Sequence, residues 1–273
     1  MLRKLLLVAA CGFFAGSLSA QTVEQIISNY VAARGGIEKI KSVKSERVTG
    51  VISFGPGADG PFLVERMRPL KLHMEISLNG QTLIRTYDGK AAGWIYNPFS
   101  AAPTVEPMSE AELRNIFDEA DFDGPFIDYK EKGNQIEFVG KAEILGQPAL
   151  KVKLTNKLGD VSFFYFDAAT ALLLKWEGNR KIEGKDVPWE SFFHEFREIN
   201  GLKYPFLIES DAPGTDQTQR ITAEKIEVNV ALDDSLFGKP NPPAPAAAPP
   251  AAAPAPSSPA APADSTPATP KPN

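Results

Sequence analysis

Very few side chains in this sequence have the type and spacing for chemistry. His73 and His194 are the only histidines, and neither sits in an H-x-x-x-H or H-E-x-x-H spacing that could hold zinc. No Gly-x-Ser-x-Gly elbow and no phosphate-cradling glycine loop occurs. His194 stands between Phe193 and Glu195 on an expected strand and reads as a hydrogen-bonded structural histidine. Glu119, Asp121, Asp123 and Gly124 approach the spacing of a calcium loop, but its seventh position is Pro125 and its twelfth is Lys130, where a bidentate glutamate is needed. That acidic stretch reads instead as a solvated helix end. No catalytic residue, cofactor or metal site is expected, although a scattered carboxylate pair for hydrolysis stays open.

Apolar side chains carry more information. Phe62, Val64, Leu72, Met74, Ile76, Trp94, Phe164, Phe166, Leu172, Leu174 and Trp176 fall on expected strands and are candidates for a lipid- or acyl-binding cavity. Strand alternation places residues on one face without saying which face is inside, so ordinary core is the competing reading for each. Met74 suits a cavity for variable chains because its side chain is flexible and polarizable.

The elements that would position them begin with a helix. Thr22 and Gln25 have capping-box spacing, and Val23, Ile26, Ile27, Tyr30 and Val31 form one apolar stripe that Gly35-Gly36 stop. A helical turn over 37–41 follows. From Val43 the period changes to two, predicting strands near 43–54, 61–68, 70–78, 81–88 and 92–97, with Asn79-Gly80 as a hairpin turn. Ser109-x-x-Glu112 opens a second helix with Leu113, Ile116, Phe117 and Ala120 on one face. Strands resume near 134–140, 143–155, 160–167, 171–178, 188–198, 203–210 and 217–230. The fold class is mainly β (α+β). A large curved antiparallel sheet wrapped around the N-terminal helix and a second short helix is expected.

The ends of the chain belong to neither. Arg3 and Lys4, an apolar run from Leu5 to Gly16 and small residues up to Ala20 have the layout of a cleavable export signal over 1–20. The single cysteine, Cys11, lies inside that run, so the mature chain would have no thiol. Val8-Ala9-Ala10-Cys11 resembles a lipoprotein lipobox, but only six apolar residues precede the cysteine and the run continues past it. Residues 239–273 contain 13 of the 24 prolines and 12 alanines, with no aromatic or branched aliphatic side chain to bury. They read as a disordered, extended tail, solubilising or tethering. Residues 21–238 are then one domain. The net charge of −5 becomes −7 once Arg3 and Lys4 leave with the signal, which disfavours nucleic acid and anionic lipid surfaces as partners.

One stretch resembles a known family. Phe62-Leu63-Val64, Arg68-Pro69, the strand Lys71-Leu72-His73-Met74-Glu75, then Tyr87-Asp88-Gly89 and Trp94-Ile95-Tyr96-Asn97-Pro98-Phe99 follow the order seen in LolA/LolB-type lipoprotein carriers. The sequence resembles a divergent member of that outer-membrane lipoprotein-sorting superfamily. The resemblance implies a half-barrel over 21–238 whose cavity holds a lipid or lipoprotein acyl chain, and an Arg68 that holds a helical lid. It implies a monomeric periplasmic carrier or chaperone without enzymatic activity, handing cargo between membrane-bound donor and acceptor proteins. A cell-envelope interaction protein using the same fold, with the Pro/Ala tail as tether, is the alternative. The acidic segment 118–123, the stretch 177–190 and the tail have no counterpart in the family.

Overall fold

The computed structural model describes residues 22–182 and 185–242. The expected export signal and the tail beyond Pro242 lie outside the described residues. Helix α1 spans Val23–Arg34, and the Thr22 hydroxyl accepts from the Gln25 amide at 3.3 Å. The Gln25 side chain donates instead to Asn29 Oδ1 at 2.8 Å, so the reciprocal half of the expected capping box is not made. Gly35 takes φ 124° and returns its amide to Ala32 and Val31 carbonyls, a conformation that favours glycine. Helix α2, Ile37–Ser42, follows directly.

Six strands come next: β1 Ser45–Ser53, β2 Asp59–Met67, β3 Lys71–Leu78, β4 Gln81–Asp88, β5 Gly93–Tyr96 and the short β6 Val105–Pro107, which the alternation did not predict. Asn79 (φ 52°) and Gly80 (φ 75°) make the β3–β4 turn. Helix α3, Glu110–Ala120, has the full Ser109/Glu112 capping box. After it run β7 Gln135–Ile144, β8 Gln147–Thr155, β9 Val161–Asp167, β10 Leu173–Ile182, β11 Lys185–Ile199, β12 Leu202–Asp211 and β13 Thr218–Val228, and a 3₁₀ turn at Asp234–Phe237 closes the order. The single strand expected over 143–155 is corrected to a hairpin, because Leu145 (φ 51°) and Gly146 (φ 80°) turn the chain there. The unassigned stretch 177–190 is the outer part of the β10–β11 hairpin.

All thirteen strands seen among the described residues form one antiparallel sheet in the order β6-β5-β4-β3-β2-β1-β13-β12-β11-β10-β9-β8-β7. It is two meanders, β1–β6 and β7–β13, joined only where β1 pairs with β13. The sheet is not closed, since β6 and β7 have no second partner strand. It is nevertheless strongly curled. Helix α3 touches both β3 and β10, which stand six strands apart. Flat, that is about 29 Å at the usual strand spacing. A helix of 11 residues is only ~16 Å long. Helix α1 likewise reaches β12 and β7. The inner face is therefore concave and the helices lie inside it, as the fold class expected.

Candidate lipid-binding cavity

A cavity of about 400 Å³ remains between the curled sheet, α1 and α3. That lies within the ~300–1,000 Å³ typical of small-molecule sites. Its apolar wall is built by alternation: Phe62 and Val64 from β2, Met74 and Ile76 from β3, Ile208 from β12 and Ile221 from β13 all point to the concave side. A second hollow of about 430 Å³ lies between α1, α2 and residues 126–131 and is far more open to solvent.

Of the residues the sequence nominated, Phe62, Val64, Met74 and Ile76 line the cavity. The other seven do not; Leu172 and Leu174 flank Leu173, which does line it. Leu72 is fully buried under α3 with Tyr87, Met108, Ile116 and Ala120. Phe164 and Phe166 pack with Ile26, Ile27, Tyr30 and Phe126 beneath α1, and Trp176 packs against that same cluster. They lie on the concave side, but helices occupy the space over them. Trp94 pairs with Thr86, so it shares the convex face with that residue. There the Thr86 hydroxyl donates to the Gly238 carbonyl at 2.8 Å.

The cavity also has polar walls that apolar alternation did not single out. Glu46 on β1 is 2% exposed and accepts from Arg66 on β2 at 2.6 Å. The Arg66 Nε is buried without an acceptor. Burial, then the nearby Glu46 carboxylate, hold the Tyr204 hydroxyl well above its ordinary pKa. At the α3 side, Arg85 on β4 donates to Glu119 at 2.9 Å, and Arg180 on β10 stacks 4.9 Å from the Trp189 ring centroid. Their signal in sequence is phase: Arg66 lies two residues from Val64 and four from Phe62, so it must share their face.

Arg68, at the end of β2, sits outside this wall. Its guanidinium makes two 2.5 Å bonds to the Asp123 carboxylate and donates to the Ile40 carbonyl at 3.1 Å, while Nε donates to the Val43 carbonyl at 2.6 Å. It therefore ties β2 to the end of α2 and to the segment after α3. The acidic segment is corrected accordingly. Asp121 and Asp123 are 13% and 11% exposed at their side chains, and Lys132 and Arg68 neutralise them, so this is not a solvated helix end.

No family model matches the chain, and comparison with curated proteins finds no relative. Solved structures do match. A DUF1329 family protein from Desulfovibrio piger superposes with TM-score 0.55 at 15% identity, covering 80% of this chain and 98% of that one. A LolA superfamily protein from Nitrosomonas europaea superposes with TM-score 0.52 at 13% identity, covering 81% of this chain and 99% of that one. At such identities the likeness is one of fold: this chain is similar in fold to a LolA superfamily protein over nearly the whole length of that protein.

Proposed function

We propose that residues 21–238 form an exported carrier that holds a lipid or acyl chain and passes it between membrane-bound donor and acceptor proteins without altering it. The observation that carries this reading is the apolar-walled cavity of about 400 Å³ enclosed by a curled sheet and two helices. A single chain fits its size. At about 30 Å³ per water-sized group it has room for roughly a dozen methylenes, too few for several acyl chains at once. On this reading the protein works as a monomer in the periplasm, reached through the 1–20 export signal. Arg68 holds the helical lid formed by α1 and α3, through its bonds to the Ile40 carbonyl and to Asp123 after α3, and residues 239–273 are a solubilising or tethering tail. The test is direct. Protein purified from its native envelope and extracted with organic solvent is expected to yield a bound acyl lipid by mass spectrometry, and dodecanoate is expected to displace N-phenylnaphthylamine from the delipidated protein. Absence of both overturns the carrier reading.

A further inference from the structure

Five cationic residues line the cavity, Arg34, Arg66, Arg85, Arg180 and Lys203, against two acidic ones, Glu46 and Glu119. The chain as a whole is acidic, so this excess is local. Both carboxylates are already engaged, Glu46 by Arg66 and Glu119 by Arg85. Arg34 is compensated by its surroundings: Tyr30, Tyr204 and Glu46 outweigh its burial and favour its charge. Arg180 is not. Among the described residues no carboxylate lies within ion-pair distance of it, and its contact is the face of Trp189. Burial, with repulsion from Arg85, disfavours the Arg180 charge more than Glu119 and Asp118 support it. This side of the cavity thus presents a guanidinium with no carboxylate at ion-pair distance among the described residues, a costly arrangement that an anion would relieve.

We propose that the cavity takes a single-chain amphiphile with an anionic head, a carboxylate or a phosphate, seated against Arg180 with its chain along Phe62, Met74, Ile76, Phe193, Ile208 and Ile221. This deepens the carrier reading and rests on it. Neutral lipids of the same length fill the walls equally well but leave the guanidinium unpaired, so the head group decides affinity.

The experiment compares chain-matched probes, dodecanoate, dodecyl phosphate and dodecanol, by fluorophore displacement from the delipidated mature chain. Either anion is expected to bind about tenfold more tightly than dodecanol, the effect of one charge-assisted contact. Whichever anion binds better identifies a fatty acid or a lipid phosphate as the source. Arg180→Gln is expected to bring the anions to within about twofold of dodecanol, and Arg180→Lys to retain part of the preference. If the glutamine variant fails to fold, the wild-type comparison and the lysine variant still decide. Equal affinity for all three probes overturns the head-group proposal and leaves the carrier reading standing. Anion preference that survives in Arg180→Gln overturns the assignment to Arg180, and binding of no probe overturns both.

Discussion

His73 has an acceptor on each ring nitrogen: the Leu236 carbonyl lies 3.0 Å from Nδ1 and the Glu75 carboxylate 3.0 Å from Nε2. Only the imidazolium can donate to both. Burial pushes its pKa down, but Glu75 and the Leu236 carbonyl outweigh burial and hold it above the ordinary 6.5. The same bond holds Glu75 below 4.5 against its own burial. The remaining neighbours do not reverse this. Glu65 across the ladder is paired with Arg47, and Lys71 with Asp234 on the covering turn. A raised histidine pKa means stabilisation that is complete below about pH 6.5 and is lost as pH rises through the folded value. The Glu75 contribution is present above about pH 4.5 and lost as pH falls. Amide exchange in the turn 234–238, corrected for intrinsic rate, is therefore expected to quicken between about pH 6 and pH 9, and His73→Gln is expected to flatten that rise. A wild type already flat across this range contradicts the assignment. Nothing in the sequence pointed to this pin, because Leu236 is 163 residues away. The charges on the cavity wall were closer to legible. Arg66 and Glu46 were in phase with apolar neighbours, but alternation treats a charge as facing water, and inside a curled sheet that assumption fails.

Elements are held together at two seams, and each has a residue that tests it. Arg68 joins β2, α2 and the segment after α3 through one bidentate ion pair and two carbonyls. Arg68→Leu strands Asp123 with little solvent and is expected to cost about 2–3 kcal/mol, the buried-pair value reduced for the partial exposure of the arginine. Hydrogen exchange in residues 23–34 and 110–120 is expected to quicken with the domain still folded; unchanged exchange there refutes the lid role. The other seam is β1 against β13, the sole strand pairing between the two meanders. Gly50 sits there at a register shift, and a Cβ on it would collide with the Thr222 carbonyl oxygen and come within 2.9 Å of Ala223 Cα and Phe62 Cε1. Two of these atoms are backbone and cannot swing away. Gly50→Ala is expected to destabilise the domain by about 2–3 kcal/mol in urea unfolding, as overpacking does, and a neutral result would show that the seam can shift.

At the scale of the molecule, the carrier reading and the head-group proposal depend on a concavity that no local pattern encodes. Alternation predicted most of the strands, Asn79-Gly80 a hairpin and Ser109-Glu112 a helix start, because turn dihedrals and caps are decided by neighbours within a few residues. The order Arg68-Pro69 to Trp94 pointed to LolA/LolB-type carriers, and the chain is similar in fold to a solved LolA superfamily protein. Composition alone set the ends apart, since 13 prolines and 12 alanines over 239–273 offer nothing to bury. What the sequence by itself determined was therefore the inventory: mainly β, antiparallel, two principal helices, few groups suited to catalysis. Only the tertiary structure decided which apolar residues lie under helices and which face empty space, that Asp123 is the partner of Arg68, and that Arg180 lines the cavity with no carboxylate at ion-pair distance among the described residues. The reason is physical. Strand and helix formation is settled by local dihedrals and periodicity, whereas curvature, cavity and charge pairing come from contacts between segments as distant as β1 and β13, whose geometry follows from the packing of the whole sheet around its helices.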